Sequence, residues 1–295
     1  MKTKKITERK FDRWLRKCVG VSLAFAVALS ASLYFSGQTV YASTAYTDAE
    51  PNDSYEQAQL ITRNAQTPAQ YVSNQTSVYR YVTGTLSYDD EDWYKVYLYS
   101  DDENYLDLNV GSGTITVELY TSSNSVVPLT TFEFQKYGDT NVYSVPVPES
   151  GLYYLRVYHD TTSISSTYYF TIGNPQYTLG SYTHTFRSTT LAAKGTWDDT
   201  VDLSEISSIP ENAIGYEISI GGCTSSVSSE RYFYNKHYGH WVATKSTFSY
   251  SLPVSETASS LDQEWGAKIV STSSSSKTFS PTMTIRYVAP DLPVE

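Results

Sequence analysis

Apolar and polar residues alternate with a period of two through long stretches of this chain, the signature of half-buried β-strands. Trp93 to Tyr99 is the clearest run. Thr114 to Tyr120, Asn141 to Val147, Leu152 to Tyr158 and Thr167 to Ile172 follow the same rule. Turn residues separate them at Gly111-Ser112-Gly113, Tyr137-Gly138-Asp139 and Pro148-Glu149-Ser150-Gly151. One short helix is predicted at Ser54 to Ile61, with Asp53 as its cap and Ala58, Leu60 and Ile61 on one side. Gly173-Asn174-Pro175-Gln176 punctuates the chain after the fifth run and predicts a linker. Further strands are expected at Thr183 to Thr189, Ile214 to Ile220, Arg231 to Tyr234, His240 to Lys245, Trp265 to Val270 and Thr282 to Val288. Arg231 to Lys245 reads as a hairpin turning at Asn235 to Gly239. Many short strands at this spacing predict an all-β fold, a sandwich or jelly roll rather than a parallel α/β sheet. The expected layout is a leader at 1–42, one β-sandwich at 43–174 and a second, of unrecognised type, at 178–290.

Composition agrees with the β reading: many of the 28 tyrosines sit in these runs, and aromatic residues suit a pleated, half-buried surface. The first forty residues are different. Met1 to Lys17 holds eight basic side chains against Glu8 and Asp12, an uncharged apolar run extends from Cys18 to Phe35, and Val40-Tyr41-Ala42 is a small-residue cleavage site. That order describes a secretory signal peptide. A retained anchor is the competing reading, since the run is about long enough to span a bilayer. Cleavage after Ala42 removes eight positive and two negative charges and takes the formal charge from −10 to −16. A product this acidic repels nucleic acid and anionic membrane surfaces. Only Cys223 of the two cysteines then remains, so no internal disulfide is available. Pro290 to Glu295 carries neither a wall-sorting signal nor a membrane tail, so a product released outside the cell, without stable membrane insertion, is expected.

Two acidic segments stand out, Asp48-Ala49-Glu50-Pro51-Asn52-Asp53-Ser54 and Gly84-Thr85-Leu86-Ser87-Tyr88-Asp89-Asp90-Glu91-Asp92-Trp93-Tyr94. Calcium takes six to eight oxygen ligands from carboxylates, amides, carbonyls and water, and these segments supply them if a fold brings them together. Spacing alone leaves solvated acidic loops as an equal alternative.

The Glu-Pro-Asn-Asp-Ser motif, the Gly-Thr-Leu strand and the Asp-x-x-Asp-Trp-Tyr motif together resemble the bacterial pre-peptidase C-terminal domain, a family that includes the collagen-binding domains of clostridial collagenases. Gly151-Leu152-Tyr153-Tyr154-Leu155-Arg156-Val157-Tyr158 fits a later strand of that family. The resemblance covers about residues 46–173. It implies a jelly-roll β-sandwich with bound Ca2+. It also implies Glu50, Asn52, Asp53, Asp89 and Asp92 as ligands, with Asp48 as an additional acidic ligand. Asp90 and Glu91 then only add field, and Trp93 and Tyr94 begin a strand in or near the core.

Catalytic signatures are sparse. His159, His184, His237 and His240 form no His-Glu-x-x-His pattern, and no Gly-x-Ser-x-Gly elbow occurs. Cys223, after Gly221-Gly222, reads as a small residue at a strand end. The expectation is a secreted, non-catalytic binding or adhesion protein, its ligand an extracellular protein, collagen being the family example, or a glycan. Two alternatives stay open. One is a secreted hydrolase whose site lies in residues 178–290, where Trp197, Trp241, Trp265, Tyr232 and Tyr234 would line a sugar cleft or fill the core. The other is an accessory protein for a separately encoded partner.

Overall fold

A computed structural model describes residues 44–136, 141–159, 165–223, 229–245 and 247–293. The expected leader and the Tyr137-Gly138-Asp139 turn lie outside the described residues. Ser43 to Glu295 forms one compact unit.

Its first half is a jelly-roll-type sandwich. The strands are β1 Thr44–Thr47, β2 Gln59–Leu60, β3 Arg80–Leu86, β4 Glu91–Leu98, β5 Tyr105–Val110, β6 Thr114–Thr121, β7 Thr130–Gln135, β8 Val142–Ser144, β9 Gly151–Tyr158 and β10 Ser166–Gly173. They make two five-stranded sheets, ordered β1-β3-β10-β5-β8 and β2-β4-β9-β6-β7. The alternation decides which residues face inward. On β4, Asp92, Tyr94, Val96 and Leu98 point into the sandwich, while Trp93 and Tyr97 point out. Leu106, Leu108, Ile115, Val117, Leu119, Phe134, Leu155 and Phe170 complete a core with no exposed surface at these positions. Each such side chain contributes roughly 1.5–3 kcal/mol over its exposed state.

The expected helix at 54–61 does not form. Tyr55–Gln57 makes a single 3-10 turn, and Ser54 caps it without a side-chain hydrogen bond. The chain then straightens so that β2 pairs in parallel with β4, Gln59 opposite Tyr94. Ala58 is buried against Trp93 and Tyr120 on the outer face. Tertiary packing of a short apolar stretch thus overrides its helical spacing. A helix does form at Pro68–Val72, here α1, with a full capping box between Thr67 and Gln70; the Thr-Pro-x-Gln pattern is the sequence signal for it.

The second half is another sandwich. Its strands are β11 Tyr177–Thr185, β12 Thr189–Leu191, β13 Thr196–Asp202, β14 Ile214–Gly221, β15 Ser229–Asn235, β16 Val242–Ala243, β17 Ser249–Ser251, β18 Glu264–Ser271, β19 Lys277–Phe279 and β20 Thr282–Pro290. Two four-stranded sheets, β11-β20-β14-β17 and β13-β18-β15-β16, are joined by the small β12-β19 pair. The expected hairpin is present, with Tyr232 opposite Ala243, although its second strand is confined to Val242–Ala243. Trp265, with no exposed surface, stacks near Phe233 in the core, and Trp197 packs edge-on to Phe186. Neither tryptophan lines a cleft, because both occupy inward positions of their strands.

Gln176 ties the halves together. Its Nε2 donates to Asp107 Oδ2 of β5 at 2.5 Å, and its carbonyl accepts from the Asp291 amide at 2.8 Å. Tyr71 of α1 packs on Tyr177 of β11, ring centroids 5.8 Å apart.

Candidate metal centre

The two acidic segments meet at one end of the first sandwich. β1 runs parallel to β3 with Thr47 opposite Thr83, and the Asp48 amide donates to the Thr83 carbonyl at 2.9 Å. This delivers Asp48 to the sheet edge. The chain then turns through the cis Glu50-Pro51 bond. The Trp93 amide donates to the Asn52 carbonyl at 2.9 Å, which docks the turn against the start of β4. Asn52 is left with no exposed surface. Its Nδ2 donates to Asp48 Oδ1 at 2.7 Å, and its amide donates to Glu50 Oε2 at 3.1 Å.

Asp92 comes to the same place from β4. It is fully buried, and its Oδ2 accepts from the Tyr168 hydroxyl at 2.5 Å. The Tyr94 hydroxyl donates to Asp48 Oδ1 at 2.8 Å and also contacts the Tyr168 hydroxyl. Gly84 makes room for this arrangement: a Cβ there would lie 2.2 Å from the Tyr168 hydroxyl oxygen.

The carboxylates form two overlapping groups. Oxygens of Asp48, Glu50 and Asp92 lie within 4.8 Å of one another, as do those of Glu50, Asp53 and Asp90. Like charges this close raise each other's proton affinity. Burial above all, then the charges of Asp48, Asp90 and Glu50, pushes the Asp92 carboxyl up to about 8, against the Tyr168 hydrogen bond. The Glu50 carboxyl is also raised, first by burial and then by Asp48, Asp53 and Asp90, while the Asn52 amide opposes the shift.

Two oxygens in this cluster have no partner. Asn52 Oδ1 and Asp92 Oδ1 are both buried and accept no hydrogen bond. A buried acceptor left unpaired costs about 1–3 kcal/mol, more when charged. A cation bound among them would remove that penalty and the carboxylate repulsion together. The donor set is all oxygen, with no histidine or cysteine, and suits a hard cation; six to eight flexible oxygens at 2.3–2.6 Å are the preference of calcium. The residues therefore fit Ca2+.

Of the expected ligands, the structure brings together Asp48, Glu50, Asn52, Asp53 and Asp92. It does not bring Asp89. Asp89 sits exposed in the turn before β4 with φ 55° and belongs to neither group, while Asp90 belongs to one. The reason lies in the turn ahead of β4: Asp89 takes a left-handed conformation and is exposed, while Asp90, next to the strand, is partly covered. Asp90 is further fixed by accepting from the Ser87 amide at 2.8 Å. Glu91 faces outward, where it accepts from Arg156 Nε at 2.7 Å and from the Trp93 indole at 3.0 Å. Its charge is thus paired away from the cluster. Tyr94 is buried in the main core, whereas Trp93 lies in a separate aromatic cluster on the outer face.

Comparisons with known proteins bear on the fold. No family model matches the chain, and no curated protein matches it. Among solved structures, a protein of Eubacterium rectale described as secreted is similar over 86% of this chain and 89% of its own, with 12% identity and a TM-score of 0.52. The pre-peptidase C-terminal domain of a Bacillus anthracis collagenase covers 39% of this chain and 93% of its own length at 21% identity and a TM-score of 0.26. A periplasmic inhibitor of g-type lysozyme from Salmonella Typhimurium covers 39% of this chain and 98% of its own at 13% identity and a TM-score of 0.24. The first of these shares the fold with this chain over nearly its whole length.

Proposed function

We propose that this chain is a secreted, non-catalytic binding protein whose first sandwich is clamped by calcium. One observation carries the reading: the two unpartnered, buried oxygens of Asn52 and Asp92 stand among the carboxylates of Asp48, Glu50, Asp53 and Asp90. The convergence of the Glu50-Pro51-Asn52-Asp53 segment on Asp92-Trp93-Tyr94 supports kinship with the pre-peptidase C-terminal domain. The metal would fasten the segment after β1 to the start of β4 and so close one end of the sandwich. Its effect is structural. The amino-terminal basic and apolar pattern supports export. Among the described residues no helix is long and apolar enough to cross a membrane. Outward-facing tyrosines such as Tyr97, 49% exposed, and Tyr99, 46% exposed, offer contact surface for an extracellular protein or glycan.

Extracellular calcium sites bind at about 10⁻⁴ to 10⁻³ M. At millimolar calcium that is worth about 0.4–1.4 kcal/mol, or a rise in melting temperature of about 1–5 °C for a unit of this size. Calorimetric titration of calcium into chelator-treated protein (residues 43–295), with melting curves in parallel, tests this. Saturable heat and a raised melting temperature, both lost in Asp92→Ala, are expected. No heat and no thermal shift at millimolar calcium would refute the clamp.

A further inference from the structure

The outer face of the β13-β18-β15-β16 sheet combines aromatic rings with charged side chains. Register places Asp198, Lys268, Tyr232 and Ala243 in one cross-strand row, and Thr200, Gly266 and Tyr234 in the next. Trp241, just before β16, extends the second row: its ring centroid lies 5.6 Å from that of Tyr234. Gly266 is what lets the indole lie down. A Cβ there would meet Trp241 Cη2 at 3.2 Å and the Asp199 carbonyl at 2.9 Å, so a side chain would prop the ring off the sheet. Lys268 rises between the rings, its ammonium 5.6 Å from the Tyr232 centroid and 5.7 Å from that of Trp241. It makes no ion pair among the described residues. Two aromatic rings thus flank one ammonium on a half-exposed surface, and Tyr234 packs on the second of them.

The charge around this platform narrows what it can hold. Asp198, Asp202, Glu230 and Glu264 face the same side as Lys268. The four carboxylates outnumber the ammonium groups here, Lys268 with Lys236 near Asp202 and Lys245 beside Glu230, which disfavours a polyanion such as nucleic acid, an anionic lipid surface or a uronate chain. The aromatic rings need an apolar face to stack on, and the carboxylates need hydroxyl or amide donors. A neutral sugar ring offers both: C–H groups on its face, polarised toward the negative π-cloud, and hydroxyls around its rim. Successive rows along a strand are about 7 Å apart, so Tyr232 in one row and Trp241 with Tyr234 in the next would meet more than one sugar unit.

We infer that this face, built from Tyr232, Tyr234, Trp241 and Lys268, binds a neutral polysaccharide along its length, with Asp198 and Glu230 taking hydrogen bonds from its hydroxyls. This deepens the reading of a secreted binding protein and rests on it, but uses none of the calcium ligands. Glu230 and Thr200 are held ready in this arrangement: Tyr232 donates to Glu230 Oε2 at 2.8 Å, and Thr200 donates to Glu264 Oε1 at 2.8 Å.

The test is native affinity electrophoresis of residues 43–295 in gels cast with β-glucan, xylan, galactomannan or α-glucan, and with polygalacturonate as the anionic comparison. Pull-down on insoluble cellulose and chitin runs alongside. Retardation or retention by at least one neutral polysaccharide is expected, weakened at least tenfold in Trp241→Ala and in Tyr232→Ala, and unchanged in Val126→Ala, an exposed position on the first sandwich. Circular dichroism and melting temperature check each variant; Lys268→Ala stands in if Trp241→Ala does not fold. Binding to none of the neutral polysaccharides, binding to polygalacturonate alone, or full binding by both ring variants would overturn the inference. So would capture by a polylysine peptide without any by polysaccharide, which would assign the face to basic peptide segments. Because calcium titration reads the other sandwich, calcium binding without polysaccharide binding sinks this inference alone, and the reverse outcome sinks only the clamp.

Discussion

Replacing Asp107 by asparagine should stabilise this protein at neutral pH, and the gain should vanish in acid. Asp107 faces outward from β5 but is covered, 6% exposed. Its neighbours there are Gln176, which donates to it, Asn109 at 3.5 Å, and the charge of Asp291. Burial first, and then Asp291, raises its carboxyl from 3.8 to about 6, against the Gln176 hydrogen bond. Because the folded value lies above the unfolded one, the folded state holds the proton more tightly between those two pH values. Stability is therefore greatest below the unfolded value and falls as pH rises through the interval. A shift of about two pH units corresponds to about 3 kcal/mol at most. Asparagine keeps an oxygen for Gln176 but loses the charge assistance of that bond, roughly 1 kcal/mol. The net gain at pH 7 is about 1–2 kcal/mol, or about 2–8 °C in melting temperature. Melting curves of wild type and Asp107→Asn from pH 4 to pH 8, at fixed calcium and ionic strength, measure it. A difference that does not change with pH, or a variant less stable at pH 7, would refute the argument that an unfavourable buried charge sits at this junction.

Three further outcomes are expected. Asp90→Ala should abolish the thermal shift produced by calcium, while Asp89→Ala should keep most of it; melting curves with calcium and with chelator decide between the Asp90 assignment and the Asp-x-x-Asp one. Gly84→Ala should displace the Tyr168 ring, whose oxygen lies 2.2 Å from the new methyl position, and so weaken calcium affinity at least tenfold in calorimetry even though residue 84 offers no ligand. Gly222→Ala should destabilise the second sandwich by at least about 2 kcal/mol in urea unfolding, since its φ is +77° and the added carbon would fall 1.9 Å from the Ser280 carbonyl oxygen.

Much of the fold was legible because burial in a sandwich writes a period of two into the chain. β4, β6, β9 and β10 lie within a residue or two of their expected bounds. The strands that escaped carry polar residues on covered or rim positions. β5 holds Asp107 between its leucines and Asn109 after them, and β13 reads Thr-Trp-Asp-Asp-Thr-Val-Asp, so neither looks apolar enough on its own. The helix expected at 54–61 failed because its apolar residues are used separately: Tyr55 and Ala58 join the outer aromatic cluster, Ile61 enters the main core and Leu60 stays exposed. At the acidic site the residue types were legible and the pairing was not. A motif written as Asp-x-x-Asp invites Asp89, yet only geometry at the entrance to β4 distinguishes it from its neighbour. Trp265 and Trp241 make the same point: identical residues, one on the inward side of β18 and one flat on the outer face just before β16.

The junction at Gln176 has a mechanical consequence. Tyr177 and Pro290 are register partners at the paired ends of β11 and β20, and the Asp291 amide closes back on Gln176. The chain therefore enters and leaves the second sandwich at nearly the same point. Tension transmitted along the backbone from the first sandwich to a point beyond Pro290 need not pass through the second core at all. It is carried first by the Gln176–Asp291 and β11–β20 hydrogen bonds, loaded one after another as in a zipper. The second sandwich hangs beside the line of force as a pendant. A tether drawn taut would peel that pair open before it deformed the aromatic face on the far sheet.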